Sequence, residues 1–134
     1  MDLINTGEIM SDNIIFDKTM DFALRIVKLY QYLVTEKKEY VMSKQILRCG
    51  TSIGANVKES KNAQSKLDFI NKMSIALKEA DETEYWLELL YKSGYLIKTE
   101  VNSILKDCVE IIKLLTTIIN TAKMNIQNNK KKQN

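Results

Sequence analysis

The sequence predicts an all-α protein, folded as an antiparallel up-down-up-down four-helix bundle. Three observations carry that prediction. The 134 residues include no proline and only four glycines, while Leu, Ile, Lys and Glu are common, a composition that suits a mostly helical domain. Apolar residues recur at alternating spacings of three and four along four long stretches, the period of a helix with one buried face. The breaks between those stretches are short, so successive helices must run antiparallel. The length fits one domain with one core.

Residues 1–15 show no sustained period and are expected to form a flexible arm, ahead of a bundle domain at 16–126 and a basic disordered tail at 127–134. Asp17 is a candidate cap for a first helix over 17–37. Phe16, Met20, Ala23, Val27, Tyr30 and Val34 form its apolar row, widened by Phe22, Ile26, Leu29 and Leu33. Lys37 and Lys38 suit a helix C-terminus. The second helix follows the break at 36–40, with Met42, Ile46, Cys49, Ile53 and Val57 on its apolar face. Gly50 and Gly54 lie one turn apart in it, each costing about 1 kcal/mol relative to Ala. Close approach of a neighbouring helix would offset that cost. A phosphate-binding loop is the other reading, but there is no glycine-rich strand-to-helix turn to support it.

The third helix is predicted over 66–92. Ser65 and Asp68 resemble a capping box at its start, and Gly94 suits a left-handed cap at its end. Phe69, Met73, Ala76, Ala80, Thr83, Leu87 and Leu90 form its apolar row. Thr99 is a candidate cap for the fourth helix. There Val101, Ile104, Leu105, Cys108, Ile111, Ile112, Leu115, Ile118, Ile119 and Ala122 make a wide stripe. The β-branched run 114–119 looks strand-like by itself, and the period of the whole segment overrides it.

Several function classes are excluded. There is no His and no paired-cysteine motif, which removes zinc sites and His-based triads; no metal and no cofactor is expected. Cys49 and Cys108 are not a disulfide framework and point to a reducing compartment, the cytoplasm. Residues 1–12 are polar and acidic, unlike a signal peptide, and no apolar run is long enough for a membrane span. The net charge of +3 is mild, so partners must be argued from how charge is distributed.

Gln45, Arg48, Ser52, Asn56 and Glu59 share one narrow arc of the second helix, beside its apolar face. Ser52, Asn56 and Glu59 read as a polar seam that fixes packing register, with a binding or catalytic cluster as the alternative. For a hairpin turning near Ala63-Gln64, Arg48 falls opposite Glu79 and Lys44 opposite Thr83-Glu84. Residues 44–78 contain seven basic and two acidic residues, whereas residues 79–88 contain five acidic and none basic. The hairpin is therefore an electrostatic dipole. Its basic residues Lys44, Arg48, Lys58, Lys61, Lys66 and Lys72 are the candidates for nucleic-acid phosphates. The same dipole could pair head to tail between subunits, or simply be solvated. Trp86 lies off the apolar row and is either an interface anchor or a cover over the side of the bundle against the first or fourth helix.

Ser52-Ile53-Gly54-Ala55-Asn56-Val57-Lys58-Glu59 resembles the "SIxxNIxEG" signature of the 23S ribosomal RNA intervening-sequence proteins, a family of four-helix bundles. Leu24-Arg25-Ile26-Val27, residues 43–48 and the 66–90 segment are similar to the family pattern as well, so the resemblance covers about 16–122. Ser60 departs from it, because the family usually has Gly there. The resemblance implies a bacterial protein, a pentameric ring and no established enzymatic activity. It also implies kinship with the accessory protein of diversity-generating retroelements, a basic pentamer that binds nucleic acid and reverse transcriptase.

Three functions follow as expectations. The first is a non-enzymatic bundle that forms homo-oligomers and binds RNA or DNA. The second is a protein-interaction scaffold that binds no nucleic acid. The third is an enzyme such as a nuclease, for which Asp81, Glu84 and Glu88 are the only clustered carboxylates available as metal ligands.

Overall fold

The computed structural model describes residues 6–133, with side chains over 13–132. Its four helices are α1 (Thr6–Thr35), α2 (Met42–Ser60), α3 (Lys66–Lys92) and α4 (Lys98–Gln133). They pack in ring order, each against its two neighbours, while the backbones of the diagonal pairs α1–α3 and α2–α4 do not approach closely among the described residues. Cross-helix pairs set the directions. Lys18–Glu110, Arg25–Asp107 and Tyr32–Glu100 run in opposite order along α1 and α4. Arg48–Glu79 and Glu59–Lys72 do the same for α2 and α3, and Ile26–Gly50 and Thr19–Gly54 for α1 and α2. The bundle is therefore antiparallel throughout, as expected.

Three core rows match the periodicity. Ile46, Cys49, Ile53 and Val57 are buried from α2, and Met73, Ala76, Ala80, Thr83, Leu87 and Leu90 from α3. From α4 come Val101, Ile104, Cys108, Ile111, Leu115, Ile118 and Ile119. The α1 row differs from expectation. Ile15, Thr19, Phe22, Ile26 and Leu33 face the core, whereas Met20 is 49% and Val27 37% exposed. Two apolar rows run along α1, and the one with the cleaner spacing is the outer flank. Thr19 breaks the apolar run of the inner row, yet it fits there because its hydroxyl donates to the Ile15 carbonyl at 2.8 Å.

Both ends of the chain are more helical than expected. α1 starts at Thr6 rather than near Asp17, which sits well inside the helix, and Ile15 is fully buried. Of the segment expected as a flexible arm, residues 1–5 lie outside the described residues. The segment expected as a disordered tail continues α4 to Gln133, with Lys130, Lys131 and Lys132 exposed in its last turn. No Gly or Pro follows Lys98 to stop the helix, and the terminal lysines complement its dipole. Cys108 of α4 meets the Ala80 carbonyl of α3, so residue 122 is level with the start of α3. The last turns of α4 therefore overhang the α2–α3 turn by roughly 16 Å.

The caps explain the sharp breaks. Ser65 accepts from the Asp68 amide at 3.0 Å, and Asp68 answers by accepting from the Gln64 amide. Gly94 has φ +89°, and the Tyr95 amide reaches back to the Leu90 carbonyl. Thr99 does not cap α4; Glu100 does, accepting from the Ile97 amide at 2.9 Å. At α2, the buried Glu39 carboxylate accepts from the amides of Val41, Met42 and Ser43. It satisfies three of the donors that a helix start leaves open. Close helix packing explains Gly50, whereas a Cβ at Gly54 would meet Thr19 only at ordinary contact distance, 3.4 Å. A Cβ at Gly50 would lie 2.7 Å from Ile26 Cγ1, so α1 approaches α2 where only hydrogen fits.

Candidate nucleic-acid interface

The basic and acidic side chains of the α2–α3 hairpin separate as the sequence indicated, but they are not equally available. Arg48 is committed to the fold: its guanidinium bonds Glu82, Glu79 at 3.3 Å and the Gln45 side chain. Burial pulls its pKa down, and the two carboxylates outweigh that to raise it. Lys72 pairs with Glu59 at 3.3 Å. Lys44 is exposed at the start of α2, about 21 Å along the helix from Lys58. The six candidate cations therefore do not form one patch.

Lys58, Lys61 and Lys66 remain at the α2–α3 turn, exposed and with no carboxylate in ion-pair reach among the described residues. Glu59 is taken up by Lys72 and Asp68 by the α3 cap. Lys61 is held in place, its Nζ lying 4.0 Å from the centroid of the Phe16 ring. Exposed Lys123, Lys130, Lys131 and Lys132 of α4 stand at the same end. Those α4 lysines join the turn only because the helix continues, which composition alone did not reveal.

The polar seam holds its own helix. Ser52 donates to the Arg48 carbonyl at 2.7 Å, and Asn56 Nδ2 to the Ser52 carbonyl at 2.8 Å. Glu59 closes the arc through Lys72. Nothing in this seam is poised for chemistry. Ser60, where the resemblance expects Gly, is buried and helical, with its hydroxyl on the Val57 carbonyl at 2.6 Å. Trp86 is half-buried against the core. Its Nε1 donates to Glu82, the residue that reaches Arg48, which turns its ring nitrogen towards α2 rather than towards the first or fourth helix.

The carboxylates of α3 repel one another. Burial first, then Glu88 and Asp81, raise the pKa of Glu84. Among the described residues, no three His, Cys, Asp or Glu side chains are placed to hold a metal ion. Both cysteines are free and buried. Burial, above all, pushes the Cys108 thiol up to about 12 and raises Cys49 too, so neither is a ready nucleophile. No helix among the described residues is long and apolar enough to cross a membrane.

These features define a helical-bundle protein with a basic end. The sequence profile of the 23S rRNA-intervening sequence proteins matches residues 11–117, and the chain belongs to that family. It is similar to a crystal structure described as a protein of unknown function from the S23 ribosomal protein family of Bacteroides thetaiotaomicron VPI-5482. The two are 60% identical with a TM-score of 0.81, over 82% of this chain and 98% of that one. No curated protein matches.

Proposed function

We propose that this chain is a non-enzymatic, self-associating bundle that binds RNA or DNA through the basic end formed by Lys58, Lys61 and Lys66. The observation that carries the proposal is that these three lysines pair with no carboxylate among the described residues, while Arg48 and Lys72 nearby do. A cation held at 4.0 Å over a ring, beside two more left to solvent, suits a row of phosphates. The α4 lysines extend the same field. The two free, buried cysteines accord with work in a reducing compartment such as the cytoplasm.

The outer row of α1 supports self-association into a ring. Met20 and Leu24 are 49% and 56% exposed, next to Val27, which is 37% exposed. Such a face suits contact with another protein surface, including a second copy. It equally supports the second reading, a protein scaffold without nucleic acid.

The test is binding of the purified chain to fluorescent RNA and DNA across a salt series. Engagement of three phosphates gives a log–log salt slope of about −3 on duplex DNA and about −2 on a single strand, and charge reversal at Lys58, Lys61 and Lys66 abolishes binding. Absence of binding at low salt by folded protein leaves the scaffold reading. Light scattering, with Leu24→Lys as the variant expected to disperse the assembly, tests the ring.

A further inference from the structure

A cleft indents the surface of the bundle at its basic end. It lies where α2 gives way to α3, has a volume of ≈ 200 Å³ and is lined by Val57, Ser60, Lys61, Phe69 and Met73. Phe69, half-buried, is its apolar side with Val57 and Met73 buried behind it, and Ser60 and Lys61 make the rest of the lining polar. The single wall hydroxyl, on Ser60, gives its proton to the Val57 carbonyl and so offers only an acceptor. Lys61 is both wall and rim, and Lys58 and Lys66 stand exposed on the two helices that frame it.

Resting on the nucleic-acid reading above, we propose that this cleft receives one unpaired nucleobase while Lys58, Lys61 and Lys66 hold the phosphates on either side of it. The half-buried Phe69 ring is a polarisable surface that suits a flat π system. Base stacking on an aromatic side chain tolerates any sequence. An apolar acid would need one cation at the mouth. Three cations spread over two helices match a chain of phosphates instead. A base inside a duplex is stacked and paired, so it cannot enter without being turned out. The basic end therefore discriminates single-stranded or looped nucleic acid from regular duplex.

The experiment titrates the full chain with a single-stranded RNA and with its perfect duplex at equal phosphate concentration. The single strand carries a fluorescent adenine analogue. The single strand is expected to bind about tenfold tighter, with the analogue quenched on binding. Phe69→Leu keeps the apolar volume and removes the ring; it abolishes the preference and the quenching and leaves duplex affinity unchanged. Equal affinity for both forms in the unmodified chain overturns the proposal, as does a preference that survives Phe69→Leu. In either case salt-dependent binding still upholds the basic end as a phosphate site. Failure of both forms to bind overturns the two readings together.

Discussion

At the end of the bundle where α1 turns into α2 and α3 into α4, charged groups are built into the fold. Glu39 holds three amides of the α2 start. Glu100 holds the Ile97 amide and accepts from the Tyr32 hydroxyl at 2.5 Å. At the opposite end, around the α2–α3 turn, Lys58 and Lys66 touch no carboxylate among the described residues and stand exposed beside a surface cleft. Charge that closes one end is structural, and charge left over at the other is available to a partner. Stability and binding should accordingly separate by end.

The largest test of that contrast is Glu39→Ala. It strips the caps from three amides in a buried position and should cost about 2 kcal/mol, read as a lower urea midpoint. A loss no greater than that of an exposed substitution would erase the contrast.

Acid should act next, and on the same end. The Ile97 amide, then the Tyr32 hydroxyl, lower the Glu100 pKa. A depressed carboxylate adds stability above its unfolded value, about 4.3, and loses it as pH falls through the folded value. Glu100→Gln should therefore flatten the acid side of a plot of melting temperature against pH. Tyr32 is shifted the other way, raised by its bond to Glu100. Its contribution is complete below the ordinary tyrosine range and disappears as pH rises through the folded value.

Glu84 sharpens the comparison with a change of sign. Its raised pKa means that its ionised form is disfavoured in the fold. Glu84→Gln should raise stability at neutral pH by about 0.2–0.5 kcal/mol, the size of one like-charge pair on a helix, measured by thermal unfolding. Smallest of all, Lys58→Gln and Lys66→Gln should each move stability by no more than about 0.5 kcal/mol. Each should nevertheless lower the salt slope of RNA binding by about one. Marked destabilisation by either would mean that these lysines belong to the fold after all.

Much of this was legible from local chemistry. The α3 boundaries, its buried row, the Ser65–Asp68 cap and the Gly94 stop each depend on residues close in sequence. Arg48 opposite Glu79 followed from the hairpin turn alone. What escaped depends on choices between equals. Two apolar rows run along α1, and only packing decides which is buried. Thr99 and Glu100 are both capable caps, and the carboxylate that reaches back prevailed. Glu39 carries no pattern marking a long side chain that folds over a helix start. The α4 overhang rests on the absence of a stop, a weaker signal than a residue that breaks a helix. For the candidate interface, type and position gave the lysines, but only partners in space showed that Arg48 and Lys72 are engaged.

The overhang makes α4 a ruler. Lys130, Lys131 and Lys132 stand on the continued α4 helix about 14 Å past the level of the α2–α3 turn. For a polyanion seated at that turn, the second basic station is an intramolecular partner at a fixed spacing. Linking two weak contacts in this way raises avidity without a new contact at either one. On the proposed reading it would do so only for a strand long enough to reach both, and the length of one helix would then filter the length of the ligand.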